Sequence, residues 1–351
     1  MKTLYKMLRH QGTANILSQH MAIIHFDSDA ELEYLNGLTV GIIGYGNQGR
    51  AQALNLRDSG VDVRVGAREG GPSESLALAD GMETYEIGRV VSSSQILVLT
   101  LPDETMVSVY RNAIEPFLTA EKTFVFAHGF AVHHHLLRLP QEADIILVAP
   151  TGPGHQLRTL YLEGRGLPAL IAVEQDFSGY AHKRCLAYAR AIGSTRAGAI
   201  ETTFAEETVT DLFCEQAVLC GGLPELIKAS FETLVEKGYQ PELAYISCLK
   251  EVKLIADLLF SRGLPGMRQA ISTTAAYGAA LSGPEIIDGR AREKLSQILK
   301  RIEDGSFANA FIKDLASGDS RQAGVLGEQL RAEKHSRLAR TGTYLSSSIH
   351  F

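Results

Sequence analysis

A chain of 351 residues with 34 Lys and Arg against 40 Asp and Glu has a formal charge of −6, and 45% of its residues are hydrophobic. This balance supports a full buried core and excludes general disorder, while the lack of a basic excess excludes a general nucleic-acid partner. Apolar runs such as Ile145 to Ala149 are far shorter than the roughly 20 residues that span a bilayer, so no membrane partner is expected.

Residues 1–20 mix Lys, Arg, His and Gln without an apolar stretch of signal length, and they read as an N-terminal extension. Four cysteines, Cys185, Cys214, Cys220 and Cys248, occupy apolar contexts without a CxxC pair. The expectation is reduced core thiols and a cytoplasmic location. From residue 21 to 202, short apolar runs recur at Thr39–Ile43, Val61–Val65, Ile96–Leu99, Thr123–Ala127, Ile145–Ala149 and Ala169–Val173. Their spacing leaves room for a crossover helix between each pair, which predicts an α/β fold, a Rossmann-type doubly wound parallel sheet. After Thr202 helical periodicity replaces the strand runs, over Glu207–Lys237 and Pro241–Arg262, so residues 203–330 read as an all-helical domain and 331–351 as a C-terminal tail.

Gly44-Tyr45-Gly46-Asn47-Gln48-Gly49 directly follows the first long apolar run and precedes a helix predicted over Gln48–Ser59. In that context the glycines permit a tight turn, close approach to a pyrophosphate, and close packing of helix on strand, and the helix N-terminus supplies amide donors. An NAD-type site places an acidic residue at the end of the second strand, whereas this chain reads Gly66-Ala67-Arg68-Glu69-Gly70-Gly71-Pro72-Ser73. Arg68 and Ser73 suit a 2′-phosphate, which predicts NADP(H). The alternative is that Glu69 accepts from the ribose and Arg68 is a solvated loop cation. His133-His134-His135 cannot share one face of a helix or strand and reads as a surface feature.

The segment Gly44 to Gly60 resembles the cofactor loop and helix of ketol-acid reductoisomerases, in their short form. Further similarities follow in order at Pro102-Asp103-Glu104, Ala127-His128-Gly129-Phe130, Gly152-Pro153-Gly154-His155, Gly198 to Thr203 and Glu215 to Gly222, over about residues 21 to 330. The resemblance implies a knotted helical domain that forms a homodimer with a shared active site. It also implies reduction and isomerisation of 2-acetolactate-type substrates with NADPH and two Mg²⁺ ions. It places Pro102, Asp103, His128 and Gly129 beside the cofactor and makes His128 the expected proton donor, a role its ordinary pKa near neutrality suits.

The family's first carboxylate pair corresponds to Asp211 and Glu215, with Glu207 extending the stripe; read from the residues alone, an acidic solvated face is the competing interpretation. Of the second pair only Glu251 remains, because Ser247 stands where the family has Glu. Thr151 replaces a family lysine, Ala270 a substrate-contacting serine, and Ala276 a glutamate. Three carboxylates, Asp211, Glu215 and Glu251, predict weak or single Mg²⁺ binding or none. The expected activity is hydride transfer from NADPH to a C=N or C=O bond of a small molecule without alkyl migration, in specialised metabolism. The alternatives are an authentic Mg²⁺-dependent ketol-acid reductoisomerase and an inactive NADP-binding protein.

Overall fold

Continuous apolar runs give strands that are buried on both faces, and this is how the first half of the chain folds. The structure, a computed structural model, describes residues 22–119, 121–315 and 324–348; the expected extension 1–20 lies outside them. Nine strands form one sheet: β1 (Ile24–His25), β2 (Thr39–Ile43), β3 (Asp62–Gly66), β4 (Glu83–Tyr85), β5 (Ile96–Leu99), β6 (Lys122–Phe126), β7 (Ala143–Pro150), β8 (Ala169–Gln175) and β9 (Ala199–Glu201). Their order is β1-β9-β8-β7-β6-β5-β2-β3-β4. Alternate residues of each central strand enter two separate cores. Val40, Ile42, Ile96, Val98, Val125, Ile146 and Val148 lie in one, and Ile43, Leu97, Leu99, Phe124, Phe126, Ile145 and Leu147 in the other.

The expectation of a wholly parallel sheet is corrected at two places: β8 runs antiparallel to β7, and β1 antiparallel to β9. The reason for the first is visible in the connection. After β7 the chain enters the helix Gly154–Leu162 and returns so that Thr151 N–H donates to the Pro168 carbonyl at 2.8 Å. The excursion therefore ends where it began, and the next strand must run back along β7.

The chain divides into two units, Met1–Thr208 and Val209–Phe351. The division falls inside the helix Phe204–Cys214 rather than at its start. Among the described residues the second unit is helical throughout. Two of its turns are widened into π geometry, at Glu215–Leu219 and Ile246–Lys250, and Gly263 at φ 65° breaks the run Val252–Ala270. The described part of the stretch expected to be a tail, residues 331–348, is helical for most of its length. The helix Arg337–Ser348 sets Gly342 so close to Tyr245 that a Cβ there would lie 2.7 Å from the phenol oxygen.

Two further expectations change. Of the four cysteines, all free thiols, Cys185 is buried, Cys248 is half-buried, and Cys214 and Cys220 are exposed. The histidine run is not uniformly a surface feature. The His134 ring meets Phe130 edge-on at 4.8 Å, and burial, with His133, His135 and His128 nearby, pushes its pKa down.

Candidate active site

Parallel strands bring their carboxyl ends to one edge, where ligands of open α/β sheets gather at the point of strand-order reversal. β2, β5 and β6 end at that edge, so the loops beginning at Gly44, Thr100 and Ala127 are neighbours. Gly44 turns at φ 103°, a conformation unfavourable for L side chains, and a Cβ there would lie 2.6 Å from the Thr100 carbonyl oxygen. The Thr100 hydroxyl donates to the Gly44 carbonyl at 2.7 Å and fixes the turn.

The helix Asn47–Asp58 starts from this turn, and the motif glycines divide their work. A Cβ on Gly49 would sit 1.9 Å from the Gly44 oxygen, so helix and strand meet without room for a side chain. Gly46 has nothing within 4 Å of its Cβ position, which leaves the open face beside the helix N-terminus that an anionic pyrophosphate requires. The loop Pro150–Gly154 closes over the same turn, because Gly154 abuts the Asn47 carbonyl and the Gln48 side chain donates to the Gly152 carbonyl at 2.7 Å.

These contacts revise two of the expected cofactor residues. The Tyr45 side chain is buried and its hydroxyl donates to Asp80, which also accepts both Arg50 nitrogens at 2.7 and 2.8 Å. Its phenol is structural, and burial pushes its pKa up. The Gln48 side chain is likewise engaged, so Tyr45 and Gln48 can serve a dinucleotide through backbone only. Asn47 is exposed at the turn.

Beyond β3, Arg68 and Glu69 are exposed, and the loop bends back so that Gly71 N–H reaches the Arg68 carbonyl at 2.9 Å. The Glu74 carboxylate accepts from Gly70 N–H at 2.7 Å, and Ser73 stands in the first turn of the helix Pro72–Ala79. Pro102 is exposed and caps the helix Asp103–Val109 after β5.

His128 follows β6 and is half-buried. Its Nδ1 lies 3.1 Å from Glu207 Oε1, while Glu207 Oε2 accepts the Gly129 backbone N–H at 2.7 Å. Glu207 is 3% exposed. A carboxylate held on both oxygens in this way selects the Nδ1–H tautomer and orients the ring. Sequence reasoning had placed Glu207 only as an extension of an acidic stripe. The signal that could have found it is burial, which the sequence does not show.

Asp211 and Glu215 are exposed at the end of the helix Phe204–Cys214, and Glu251 is exposed after the second π turn. Glu215 accepts from Cys220 N–H at 2.8 Å, and Glu251 N–H donates to Ile246 at 3.1 Å, both through the backbone. Each π turn thus ends or begins on a carboxylate residue, as widened turns often do at functional sites. Asp211, Glu215 and Glu251 do not come together as a three-ligand group within 4.8 Å among the described residues. All three offer only carboxylate oxygen, the donor type Mg²⁺ takes along with water, but within one chain they are not gathered around a single ion.

Thr151 turns its hydroxyl to the Pro168 carbonyl at 3.0 Å and presents no cation. Ser247, exposed, lies one turn before Glu251 in the second π segment. Ala270 ends its helix, and Ala276, half-buried, follows Ser272, whose hydroxyl caps the next helix by accepting from Ala275 N–H at 3.2 Å.

Comparisons with known proteins show the family of the chain. The family description acetohydroxy acid isomeroreductase, NADPH-binding domain, matches residues 34–198, and ketol-acid reductoisomerase, C-terminal domain, matches residues 204–350. The structure of an NADH-preferring ketol-acid reductoisomerase from an uncultured archean is 39% identical, with a TM-score of 0.89 over 94% of this chain and 100% of that one. A semialdehyde dehydrogenase NAD-binding protein from Cupriavidus necator is 17% identical, with a TM-score of 0.57 over 76% of this chain and 99% of its own. A pyrroline-5-carboxylate reductase from Coxiella burnetii is 16% identical, with a TM-score of 0.51 over 80% and 99%. The last two share the fold alone.

Proposed function

The chain belongs to the ketol-acid reductoisomerase family, and on that premise we propose that it is an NADPH-dependent reductase that delivers hydride to a C=O or C=N bond of a small molecule without alkyl migration. The observation that supports this reading is a division within the molecule. The dinucleotide turn and the His128–Glu207 pair are intact, whereas positions 151, 247, 270 and 276 hold Thr, Ser, Ala and Ala.

Bound nicotinamide supplies the hydride. The protein's part is to hold its pyrophosphate at Gly46 and the amides that follow, and its 2′-phosphate at Arg68 and Ser73. His128 gives a proton to the heteroatom that gains charge as hydride arrives, and Glu207 stabilises the imidazolium and restores the ring's orientation. With a ligand set completed by a second subunit, Asp211, Glu215 and Glu251 would lend carboxylates to one Mg²⁺, which would polarise a single substrate oxygen. Migration of an alkyl group asks for two adjacent polarised oxygens. Ser247 removes a ligand, and Thr151 removes a positive charge.

An authentic Mg²⁺-dependent reductoisomerase is the second reading, favoured by the extent of the likeness to a solved family member. Because the second unit exposes many large apolar side chains, we further propose a homodimer, with the carboxylate set completed across subunits. NADPH oxidation is to be followed with cyclic imines and 2-ketoacids, with Mg²⁺ and with excess chelator. Turnover that persists in chelator supports the reductase, and turnover confined to 2-acetolactate with Mg²⁺ establishes the second reading. Tight NADPH binding without any turnover would leave a binding protein.

A further inference from the structure

We propose that His25, His182 and Glu201 form a binding site for one first-row divalent transition ion, with Zn²⁺ the best match. The site lies at the β1–β9 edge of the sheet, away from the dinucleotide turn, and is independent of the reductase reading. Because β1 and β9 pair antiparallel with His25 opposite Ala199, His25 and Glu201 stand diagonally on one face, a separation long side chains bridge. His182 joins them from the first turn of the helix Ala181–Ala191.

The three side chains converge on one point. His25 Nε2 lies 2.7 Å and His182 Nε2 2.9 Å from the same carboxylate oxygen, Glu201 Oε1, and the rings meet edge-to-face with centroids 5.6 Å apart. All three ligand atoms fall within 4.8 Å of one another. An ion with bonds of about 2.0–2.1 Å to nitrogen and oxygen separates tetrahedral ligand atoms by roughly 3.3 Å, so an outward adjustment of about half an ångström admits it. The ion replaces the Nε2 protons, which pass to Nδ1 or to solvent.

The donor set selects the ion. Two imidazole nitrogens and one carboxylate suit zinc, cobalt or nickel rather than Mg²⁺, which prefers oxygen alone. Access is open, since His182 is 49% exposed, and a space of about 480 Å³ beside His25 and His182 carries the carboxylates of Asp29 and Glu31. The opposing cation, Lys183, lies 4.9 Å from the Tyr34 ring centroid. Three protein ligands leave a fourth position for water or an external ligand. Occupation would tie the first described strand to both β9 and the helix Ala181–Ala191.

The test is titration of the untagged, chelator-treated full chain with Co²⁺, and separately Zn²⁺, in excess Mg²⁺ so that oxygen-only sites are filled. The expected result is one ion per chain, visible Co²⁺ bands typical of low coordination, and a rise in melting temperature. His25→Gln and His182→Gln should each weaken binding by more than about tenfold, the lower limit for loss of even an outer-sphere partner. Neither should alter NADPH oxidation. His182 is half-exposed, so His182→Gln keeps the test available if His25→Gln folds poorly. Absence of binding in the parent protein, or binding that survives both substitutions equally, overturns the proposal and leaves a hydrogen-bonded triad.

Discussion

The Nδ1 atom of His128 lies 3.1 Å from Oε1 of Glu207, whose second oxygen accepts the Gly129 backbone N–H at 2.7 Å. A nearly buried carboxylate with both oxygens engaged holds the imidazole in one tautomer and orientation. Glu207→Gln should therefore lower kcat by about 10²-fold, the lower range of general acid–base catalysis, with little change in the Kd for NADPH. His128→Asn should lower kcat at least as far, and combining the two should add little. Steady-state kinetics and cofactor titration check this; two independent, multiplying losses would contradict it.

In the proposed NADPH reading, Arg68 sets the cofactor choice. Loss of a charge-assisted contact of about 1.5–3 kcal/mol predicts that Arg68→Ala weakens NADPH by roughly ten- to a hundredfold, while NADH is little affected. The ratio of kcat/KM values for the two cofactors measures it. Equal effects on both would show that Arg68 is a solvated cation.

Gly154 touches the peptide that opens the cofactor helix, with its Cβ position 1.9 Å from the Asn47 oxygen. Gly154→Ala must displace backbone, so it should cost on the order of 1–3 kcal/mol in stability and also weaken NADPH binding. Urea unfolding and fluorescence titration read the two effects. A stable variant with unchanged affinity would refute the coupling of the two loops.

Asp80 accepts from Arg50 and Tyr45, and these hydrogen bonds hold its carboxyl below the ordinary carboxylate range against the opposing effect of burial. A depressed folded-state pKa stabilises above the unfolded value of about 3.9 and loses that contribution as pH falls through the lower folded value. Urea midpoints measured from pH 6 down to pH 3 should fall less steeply for Asp80→Asn than for the parent. Parallel profiles would contradict this.

In the second unit Phe260 is 95% and Tyr277 68% exposed, and Leu254 and Leu264 are 61% and 62% exposed. Apolar exposure on this scale marks an interaction face. Sedimentation at micromolar concentration should give a dimer, and Phe260→Asp should shift it toward monomer or aggregate. A stable, soluble monomeric parent would contradict the proposal.

The central strands and the glycine turn were legible because each carries its physical cause in its own residues, continuous apolar runs at β2, β5, β6 and β7, and glycines where no Cβ fits. The direction of β8 was not, since the return of Pro168 to Thr151 is a tertiary event. β1 and β9, at two and three residues, are too short to leave a periodic signal. Tyr45 occupies a motif position yet belongs to the core, and Glu207 looked like one more surface acid until its burial against Gly129 was seen. The π turns at Glu215 and before Glu251 likewise have no local signature. Residue types at 151, 247, 270 and 276 were plain from the sequence, because a substitution needs no fold to be read.

The most direct measurement compares kcat/KM for 2-acetolactate and for its already rearranged 3-hydroxy-2-ketoacid, with saturating NADPH and Mg²⁺, since the two differ only in the migration step. The account predicts that the rearranged ketoacid is reduced at least about 10²-fold more efficiently, the scale of losing one preorganised electrostatic contact. Glu at 247, Lys at 151 and Ser at 270 should together narrow that gap. Equally efficient conversion of 2-acetolactate to the dihydroxy acid by the unaltered chain would contradict it.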